Sequence, residues 1–206
     1  MKSLILLLAI TLIASENLRN LGFNYNCDKT YTIKTINVAG QSISFKENVG
    51  VKNGEAFHKI IISGANSGVN IGVSGISGAS SKSYSGSFNI MKFNFPPIPT
   101  IPITLKASGS MKTSVTESGG SLTISSSGTF NAQAQVGIAS GFSSVSASGK
   151  GIIISFNRKY TISSSGSVSK SGSVSSGQVS VSVTAKAISG SVTTKTNTLW
   201  NGWTSS

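Results

Sequence analysis

Apolar and polar residues alternate along residues 122–138 with almost no interruption. One parity holds the apolar or small residues Leu122, Ile124, Ser126, Gly128, Phe130, Ala132, Ala134, Val136 and Ile138. The other parity holds Thr123, Ser125, Ser127, Thr129, Asn131, Gln133 and Gln135. Because side chains of a strand point alternately to opposite faces, this pattern predicts a single half-buried β-strand. At about 3.3 Å per residue the strand would extend for about 55 Å, far beyond the usual 17–20 Å or so, which favours an elongated molecule.

The same period of two recurs along most of the chain. It predicts strands over residues 30–39, 42–51, 56–63, 69–76, 84–95, 103–115, 121–139, 142–147, 151–163, 168–174 and 179–187. Asn53-Gly54 is a strong signal for a tight hairpin, and the parity switch between Ile90 and Met91 predicts a β-bulge. No stretch after residue 15 has the period of a helix. The sequence therefore predicts an all-β fold, either an elongated antiparallel β-sandwich or a layered sheet built from long hairpins.

The beginning of the chain has the composition of an export signal. A basic Lys2 is followed by an apolar segment at 4–13 and by small residues at 14–15. This three-part arrangement predicts a secretory signal peptide over residues 1–15, cleaved close to its end. The apolar segment is shorter than the roughly 20 residues that a membrane-spanning helix needs. We therefore expect the mature protein to be secreted and extracellular.

Changes in composition divide the remainder of the chain. Residues 16–29 are predicted as an irregular lead-in, and residues 30–95 as an N-terminal β-half. All four prolines lie in the segment 96–102, which cannot be a central strand because proline has no N–H for the ladder. We expect this segment to be a Pro-rich joint between two sheets or two subdomains. Residues 103–206 are predicted as a Ser/Gly-rich repetitive β-half.

The repetitive character rests on short recurring strings. Thr-Ile-Ser-Ser-Ser-Gly occurs at residues 123–128 and again at 161–166, and Ala-Ser-Gly occurs at 107–109 and at 147–149. The two strings recur at spacings of 38 and 40 residues, which predict repeated units with one long hairpin, or one strand pair with turns, per unit.

The chain is basic because it has few acids. Its formal net charge is +12, from 17 Lys and Arg against 5 Asp and Glu, and its lysines are scattered. Nucleic-acid binders concentrate their cations and add stacking aromatics, so a nucleic-acid partner is not expected. A diffuse positive charge on an exported protein suits attraction to anionic lipid, an acidic polysaccharide or acidic partner proteins, although it can also merely maintain solubility. The adjacent pair Arg158 and Lys159 supplies the candidate contacts to an anionic surface.

Cys27 is the single cysteine of the chain, so no internal disulfide can form. An exported protein with one thiol can form an intermolecular disulfide through it, which makes Cys27 a candidate for a covalent dimer. The alternative is an inert, partly buried thiol, as free cysteines commonly are.

The residue types that perform catalysis are scarce. The single histidine, His58, shares its strand parity with Ile60 and Ile62, which predicts a structural or edge position. After residue 16 the acids are Asp28, Glu47, Glu55 and Glu117. Glu55 and His58 fall on opposite faces of one strand, and no acids are paired. We therefore predict no enzyme activity, no cofactor and no metal site.

These features favour a secreted, non-enzymatic structural or surface-coat protein. Long strands with one apolar face leave sheet edges that can associate with copies of the same chain, while lysines limit runaway pairing. Adhesion to anionic surfaces would follow from the net charge.

A membrane-acting protein is the alternative function. The predicted hairpin of residues 103–115 and 121–139 resembles, in general character, the long Ser/Thr-rich hairpins with which aerolysin-type toxins form pores. Trp200 and Trp203 would then be membrane-interface aromatics, whereas in a structural protein they would cap the sheet. A third possibility is a lipid- or carbohydrate-binding module in a curved sheet.

Overall fold

The computed structural model describes residues 23–64 and 67–206, and every regular element in these residues is a β-strand. In chain order the strands are β1 (Cys27–Val38), β2 (Gln41–Lys52), β3 (Glu55–Gly64), β4 (Ser67–Ile76), β5 (Ser81–Asn94), β6 (Pro102–Ser118), β7 (Ser121–Val136), β8 (Phe142–Lys150), β9 (Ile152–Ser163), β10 (Val168–Ser176), β11 (Val179–Ala187), β12 (Val192–Trp200) and β13 (Trp203–Ser205). Within these ranges no helix is long and apolar enough to cross a bilayer. The predicted signal peptide, residues 1–15, lies outside the described residues.

The strands form three sheets in which all neighbours are antiparallel. The four-stranded sheet has the order β1-β2-β3-β4, and the three-stranded sheet has the order β12-β11-β8. The six-stranded sheet has the order β13-β10-β9-β7-β6-β5. The prediction of an antiparallel all-β protein is therefore confirmed.

Two-residue turns connect several of the hairpins. Asn53 and Gly54 both have positive φ, 53° and 77°, and join β2 to β3 as the Asn-Gly signal predicts. Ala39-Gly40 and Gly119-Gly120 have the same conformation. Such turns match the right-handed twist of the flanking strands, which is why they fix the register of long hairpins.

The predicted β-bulge is present. The pairing of β5 with β6 shifts register between Asn89 and Met91, so that Ile90 and Met91 are both buried. An extra residue in one strand reverses the parity of everything after it, which is how the apolar residues on both sides of the shift face the core.

The predicted strands coincide with β1–β11 to within a few residues at their ends, but β12 and β13 were not predicted. In β12 residues 192–196 are exposed on both faces, so no alternation of apolar and polar residues marks this strand. β13 has three residues, which is too short for a pattern.

Strand β7 confirms most of the alternation at residues 122–138. Leu122, Ile124 and Phe130 are fully buried, and the opposite parity is exposed or half-buried. The exception is Ile138, which is 97% exposed because the strand ends at Val136. The observed strand therefore ends before the alternation of apolar and polar residues does.

The Pro-rich segment 96–102 joins β5 to β6, which are neighbours in one sheet. The chain passes from the four-stranded to the six-stranded sheet earlier, between β4 and β5. The prolines therefore turn the chain within a sheet and do not connect two sheets. β1 begins at Cys27, inside the expected lead-in of residues 16–29, and the domain boundaries themselves stay predictions.

The two copies of Thr-Ile-Ser-Ser-Ser-Gly have different structural settings. Residues 123–128 lie in the middle of β7, whereas residues 161–166 form the end of β9 and the turn after it. This string therefore marks no equivalent positions in two units.

A single hydrophobic cluster includes buried side chains from all three sheets. It contains Phe45 and Ile60 of the four-stranded sheet, Leu105 of the six-stranded sheet, and Val181 and Val183 of the three-stranded sheet. The three sheets therefore bury their apolar faces against a common core.

Candidate functional site

Polar side chains lie buried between the four-stranded and the six-stranded sheet. Glu47 of β2 and His58 of β3 are fully buried, as is Thr113 of β6, while Ser126 of β7 and Arg158 of β9 are at most 2% exposed. These residues, with Tyr160 of β9 and Lys170 of β10, are called the buried network below.

Strand periodicity explains why these polar groups face inward. Glu47 has the same parity as the buried residues Phe45 and Val49, and His58 has the parity of Ile60 and Ile62. Each polar side chain is thus carried into the core by apolar neighbours two positions away on its strand. β3 is an internal strand, so an edge position for His58 was wrong.

Hydrogen bonds connect the buried network from one sheet to the other. His58 Nδ1 lies 2.9 Å from Ser126 Oγ, and His58 Nε2 lies 3.0 Å from Tyr160 Oη. Tyr160 Oη donates to Glu47 Oε2 over 2.9 Å, and Thr113 Oγ1 lies 2.9 Å from Ser126 Oγ. These bonds form a continuous hydrogen-bond chain, which leads from Thr113 through Ser126, His58 and Tyr160 to Glu47.

The direction of donation along this chain follows from the number of available protons. The hydroxyl of Tyr160 has one proton and gives it to Glu47, so it must accept the bond from His58 Nε2–H. Nδ1 of the neutral imidazole is then an acceptor, and Ser126 donates to it. Ser126 Oγ also lies 3.4 Å from the carbonyl oxygen of Lys112, a longer contact than that to His58, so its proton is assigned to His58 and Thr113 donates to Ser126. Every hydroxyl and N–H of the chain thus points toward Glu47.

Glu47 is compensated by two cations. Arg158 Nε lies 3.3 Å from Glu47 Oε2, and Lys170 Nζ lies 3.4 Å from Glu47 Oε1. Arg158 Nη1 also donates to the carbonyl oxygen of Gly172 over 2.6 Å. Because the carboxylate and the guanidinium are fully buried, each is stable there only with the other in place.

Burial shifts the proton equilibria of the network. Desolvation, assisted by the positive charge of Arg158, lowers the pKa of His58 to about 3. Desolvation and the carboxylate of Glu47 raise the pKa of Tyr160 far above its ordinary value. His58 and Tyr160 are therefore both neutral at physiological pH, as the hydrogen-bond directions require.

A serine, a histidine and a carboxylate in series have the polarity of a hydrolytic relay, here with a tyrosine between histidine and carboxylate. Ser126 is 2% exposed and His58 is fully buried, however, so no substrate reaches the serine in this structure. The amino-acid pattern does not reveal this constellation, because its four members are 11 to 113 positions apart in the chain. The one available signal was a charged residue, Glu47, at a core-facing position of an apolar strand.

The structure separates the two candidate anion contacts. Lys159 is exposed on the outer face of β9, whereas the side chain of Arg158 points inward and is 1% exposed. Consecutive residues of a strand face opposite sides, which is why one adjacent pair cannot form one patch. Arg158 therefore does not contact an anionic surface in this structure, which corrects the expectation, and the role of Lys159 stays a prediction.

The two tryptophans pack on strands of the six- and four-stranded sheets. Trp200 is 7% exposed and its Nε1 donates to Ser176 Oγ over 2.8 Å. Trp203 is half-buried, and its ring lies 5.4 Å from the ring of Phe45 with an interplanar angle of 61°. This edge-to-face contact joins β13 to β2.

Cys27 is buried at the start of β1 and forms no disulfide within the chain. Burial raises the pKa of its thiol, which favours the less reactive protonated form. An intermolecular disulfide at Cys27 stays a prediction.

The outer face of the six-stranded sheet carries rows of hydroxyl groups. One row crosses all six strands by cross-strand pairing: Thr204, Ser175, Ser155, Thr129, Ser110 and Ser85. The next row is Ser173, Asn157, Ser127, Lys112 and Ser83, and the third is Ser171, Lys159, Ser125, Ser114 and Ser81. These three rows, called the hydroxyl face below, contain no carboxylate and no apolar side chain.

Surface depressions lie on both of the larger sheets. One, of about 430 Å³, lies on the hydroxyl face and is lined by Ser83, Ser110, Lys112, Ser127, Thr129 and Ser155 together with Met111, Gly128 and Phe156. Another, of about 270 Å³, lies on the four-stranded sheet and includes Asp28, Glu55, Lys52 and Lys59. Its charges are of both signs. Among the described residues, no three His, Cys, Asp or Glu side chains gather as metal ligands would.

No protein-family model matches this chain, and no match was found among curated proteins or among solved structures.

Proposed function

We propose that this chain is a secreted, non-enzymatic structural or surface-coat protein, built as an elongated sandwich of its two larger sheets. The observation that carries the proposal is the division of its polar groups. The histidine, serine, tyrosine and carboxylate of the buried network lie inside the molecule, while the hydroxyl face presents only hydroxyls, amides and lysines to solvent. Such a molecule contacts surfaces and carries out no reaction.

The length of the hairpin formed by β6 and β7 supports the structural part of the proposal. These strands have 17 and 16 residues and pair along their whole length. At about 3.3 Å per residue they extend for roughly 50 Å, two to three times a usual strand. Extended sheets with hydroxyl-covered faces are suited to layers and coats.

Self-association through β12 is part of the same proposal. β12 is an edge strand of the three-stranded sheet, and Val192 at its start is 61% exposed. The nearby Ile188 is 79% exposed. An exposed edge with few charges is a template for a further strand, and Lys195 is the one charge within β12.

Sedimentation of the purified mature protein over a range of concentrations tests this proposal. We expect reversible, concentration-dependent assembly, which Thr194→Pro in β12 weakens because proline cannot donate to an intermolecular ladder. Thr32→Pro in β1, the edge of another sheet, is the matched control and keeps assembly. A protein that stays monomeric at all concentrations would contradict self-association.

The pore-forming alternative is favoured by one observation, the length of β6 and β7 relative to the 9–11 residues or so that a membrane strand needs. It requires that this hairpin leave the sheet and break the bonds of Thr113 and Ser126 in the buried network. Dye release from anionic vesicles separates the two functions. We expect none, and prompt release at submicromolar protein would favour the pore.

A further inference from the structure

The hydroxyl face combines an ordered set of neutral hydrogen-bonding groups with lysine side chains, and it has no carboxylate. Lys112 and Lys159 belong to its rows, and Lys106 lies on the same side of β6, opposite Gln133. The acids of the described residues lie elsewhere: Asp28, Glu47 and Glu55 on the four-stranded sheet and Glu117 at the end of β6. The face therefore has a positive potential with no local carboxylate to offset it.

We propose that the hydroxyl face binds an acidic polysaccharide, in which Lys106, Lys112 and Lys159 pair with sulfate or uronate groups and the serine and threonine hydroxyls bond to the sugar. This inference rests on the proposed function, because it names the partner and the surface of a protein that acts by adhesion. The complementarity of charge identifies an anionic partner, and the hydroxyl rows identify a carbohydrate.

The lysines are spaced for an extended polymer. Lys112 on β6 lies opposite Ser127, and Lys159 on β9 lies opposite Ser125, so the two lysines flank β7. Two strand spacings of about 4.8 Å and one two-residue step of about 7 Å separate their backbones by about 12 Å. Lys106 lies six positions before Lys112 on β6, about 20 Å along the strand. No compact anion reaches all three, whereas a polymer does.

The hydroxyls are held in place by the sheet. Thr129 Oγ1 and Ser155 Oγ lie 3.0 Å apart across neighbouring strands, which orients both groups. Each hydroxyl has one donor and two acceptor positions, so it retains bonding capacity toward a sugar. Because strand geometry positions them, little side-chain entropy is lost when a ligand binds.

The hydroxyl face carries a depression. It has a volume of about 430 Å³ and lies around the backbone of Gly128, between hydroxyl-bearing side chains of β5, β6, β7 and β9. A sugar unit that enters it would contact Ser127 and Thr129 directly.

The composition of the face favours a polysaccharide over a lipid bilayer. Its three rows contain no apolar side chain. Of the exposed large apolar residues, Ile138, Ile188 and Val192 lie outside the strands of this sheet, and Ile152, which is 37% exposed, lies at the start of β9 beyond the three rows. Binding to a membrane interface is strengthened by apolar or aromatic side chains that enter it. A sheet face of hydroxyls has none to insert.

Binding of the full mature protein to dextran sulfate tests this proposal, with neutral dextran as the uncharged control. We expect salt-sensitive binding to dextran sulfate and none to dextran. The combined Lys106→Gln, Lys112→Gln and Lys159→Gln variant should bind about tenfold more weakly. The matched variant Lys29→Gln, Lys34→Gln and Lys195→Gln removes the same charge from other exposed strands and should bind as the parent does. Equal losses in the two variants would overturn the proposal, because binding would follow net charge alone.

A second pair of variants tests the hydroxyls. Ser110→Ala, Ser127→Ala and Thr129→Val remove hydroxyls from the depression. Ser144→Ala and Ser146→Ala in β8, with Thr35→Val in β1, remove the same number from exposed positions elsewhere. We expect only the first set to weaken binding to dextran sulfate, by about threefold to tenfold. An unchanged affinity would overturn the role of the hydroxyl rows. Unaltered circular dichroism shows that each variant is folded.

Vesicles that contain phosphatidylserine distinguish the source of the anion. We expect them to bind more weakly than dextran sulfate at equal salt, and equal or tighter binding would overturn the polysaccharide assignment. Concentration-dependent assembly without dextran sulfate binding would leave the structural proposal intact and remove this one alone.

Discussion

At the level of single residues, burial of the polar groups of the buried network is unfavourable, and ion pairs and hydrogen bonds offset this penalty. Glu47, Arg158 and His58 would each be unfavourable in an apolar core, and each is tolerated because a neighbour supplies the missing charge or hydrogen bond. The network links β2 and β3 of one sheet to β7 and β9 of another. It therefore joins residues of the two sheets through hydrogen bonds and an ion pair.

Removal of the carboxylate of Glu47 should expose this dependence. Glu47→Gln leaves Arg158 buried without a countercharge, so we expect the free energy of unfolding to fall by about 3–5 kcal/mol. Urea denaturation followed by circular dichroism measures the change. Glu55→Gln, on the exposed side of the neighbouring strand β3, is the control and should change stability by less than about 0.5 kcal/mol. Similar losses in both variants would contradict the role of the ion pair.

The pH dependence of stability should report the burial of His58. Its pKa is about 3 in the folded protein and about 6.5 in the unfolded chain, so between these values the unfolded state binds one more proton. Stability is therefore fully present above about pH 6.5 and is lost as the pH falls, at up to about 1.4 kcal/mol per pH unit.

Urea titrations at pH 7, 6 and 5 test this expectation, because His58 is the single histidine of the chain. His58→Gln should be less stable overall but should lack most of the decline between pH 6.5 and 5, where few carboxylates titrate. An unchanged slope in His58→Gln would assign the proton uptake to other groups.

At the element scale, the long hairpins depend on close contact between strands at glycine positions. A Cβ at Gly109 of β6 would lie 2.0 Å from the carbonyl oxygen of Thr129 and 2.8 Å from Phe130 Cα. The backbone atoms that surround this position cannot rotate away as a side chain can. Glycine here allows β6 to pack against β7 without a gap.

Gly109→Ala should therefore force the two strands apart. We expect a loss of about 1–3 kcal/mol or more, as for other overpacked positions, measured by thermal or urea denaturation. Gly86, directly opposite on β5, is the matched control: its Cβ would meet only the hydroxyl end of Tyr84, 2.8 Å away. Gly86→Ala should lower the free energy of unfolding by less than half as much. Equal losses would show that the intrinsic strand propensity of the residue, and not the contact with the backbone of β7, governs stability at Gly109.

At the scale of the whole molecule, the three sheets share a core. Trp200 of the three-stranded sheet bonds to Ser176 of the six-stranded sheet, and Trp203 packs on Phe45 of the four-stranded sheet. Each tryptophan is therefore a reporter of a different junction between sheets. A shared core should unfold as one cooperative unit.

Two variants with one tryptophan each test this expectation. Trp200→Phe leaves the fluorescence of Trp203, and Trp203→Phe leaves that of Trp200. In both variants the fluorescence midpoint in urea should coincide with the midpoint from circular dichroism, because the junctions and the strands are lost together. A fluorescence transition that precedes the loss of strand signal in either variant would indicate a separately folding part.

The strands β1–β11, the Asn53-Gly54 turn and the bulge near Ile90 could all be predicted from the amino-acid pattern. These features are local: a period of two, a turn that needs positive φ and a switch of parity are each written in neighbouring residues. β12 was missed because both of its faces are exposed along residues 192–196, so burial leaves no pattern there.

The amino-acid pattern did not predict which strands share a sheet or which side chains come into contact. Arg158 turned inward to Glu47 while Lys159 stayed at the surface, and Ser126, expected as a small filler, became a partner of His58. Alternation along a strand states that a residue faces inward, but not what lies opposite. That depends on sheet order and on how two sheets stack, which are set by contacts between residues far apart in the chain.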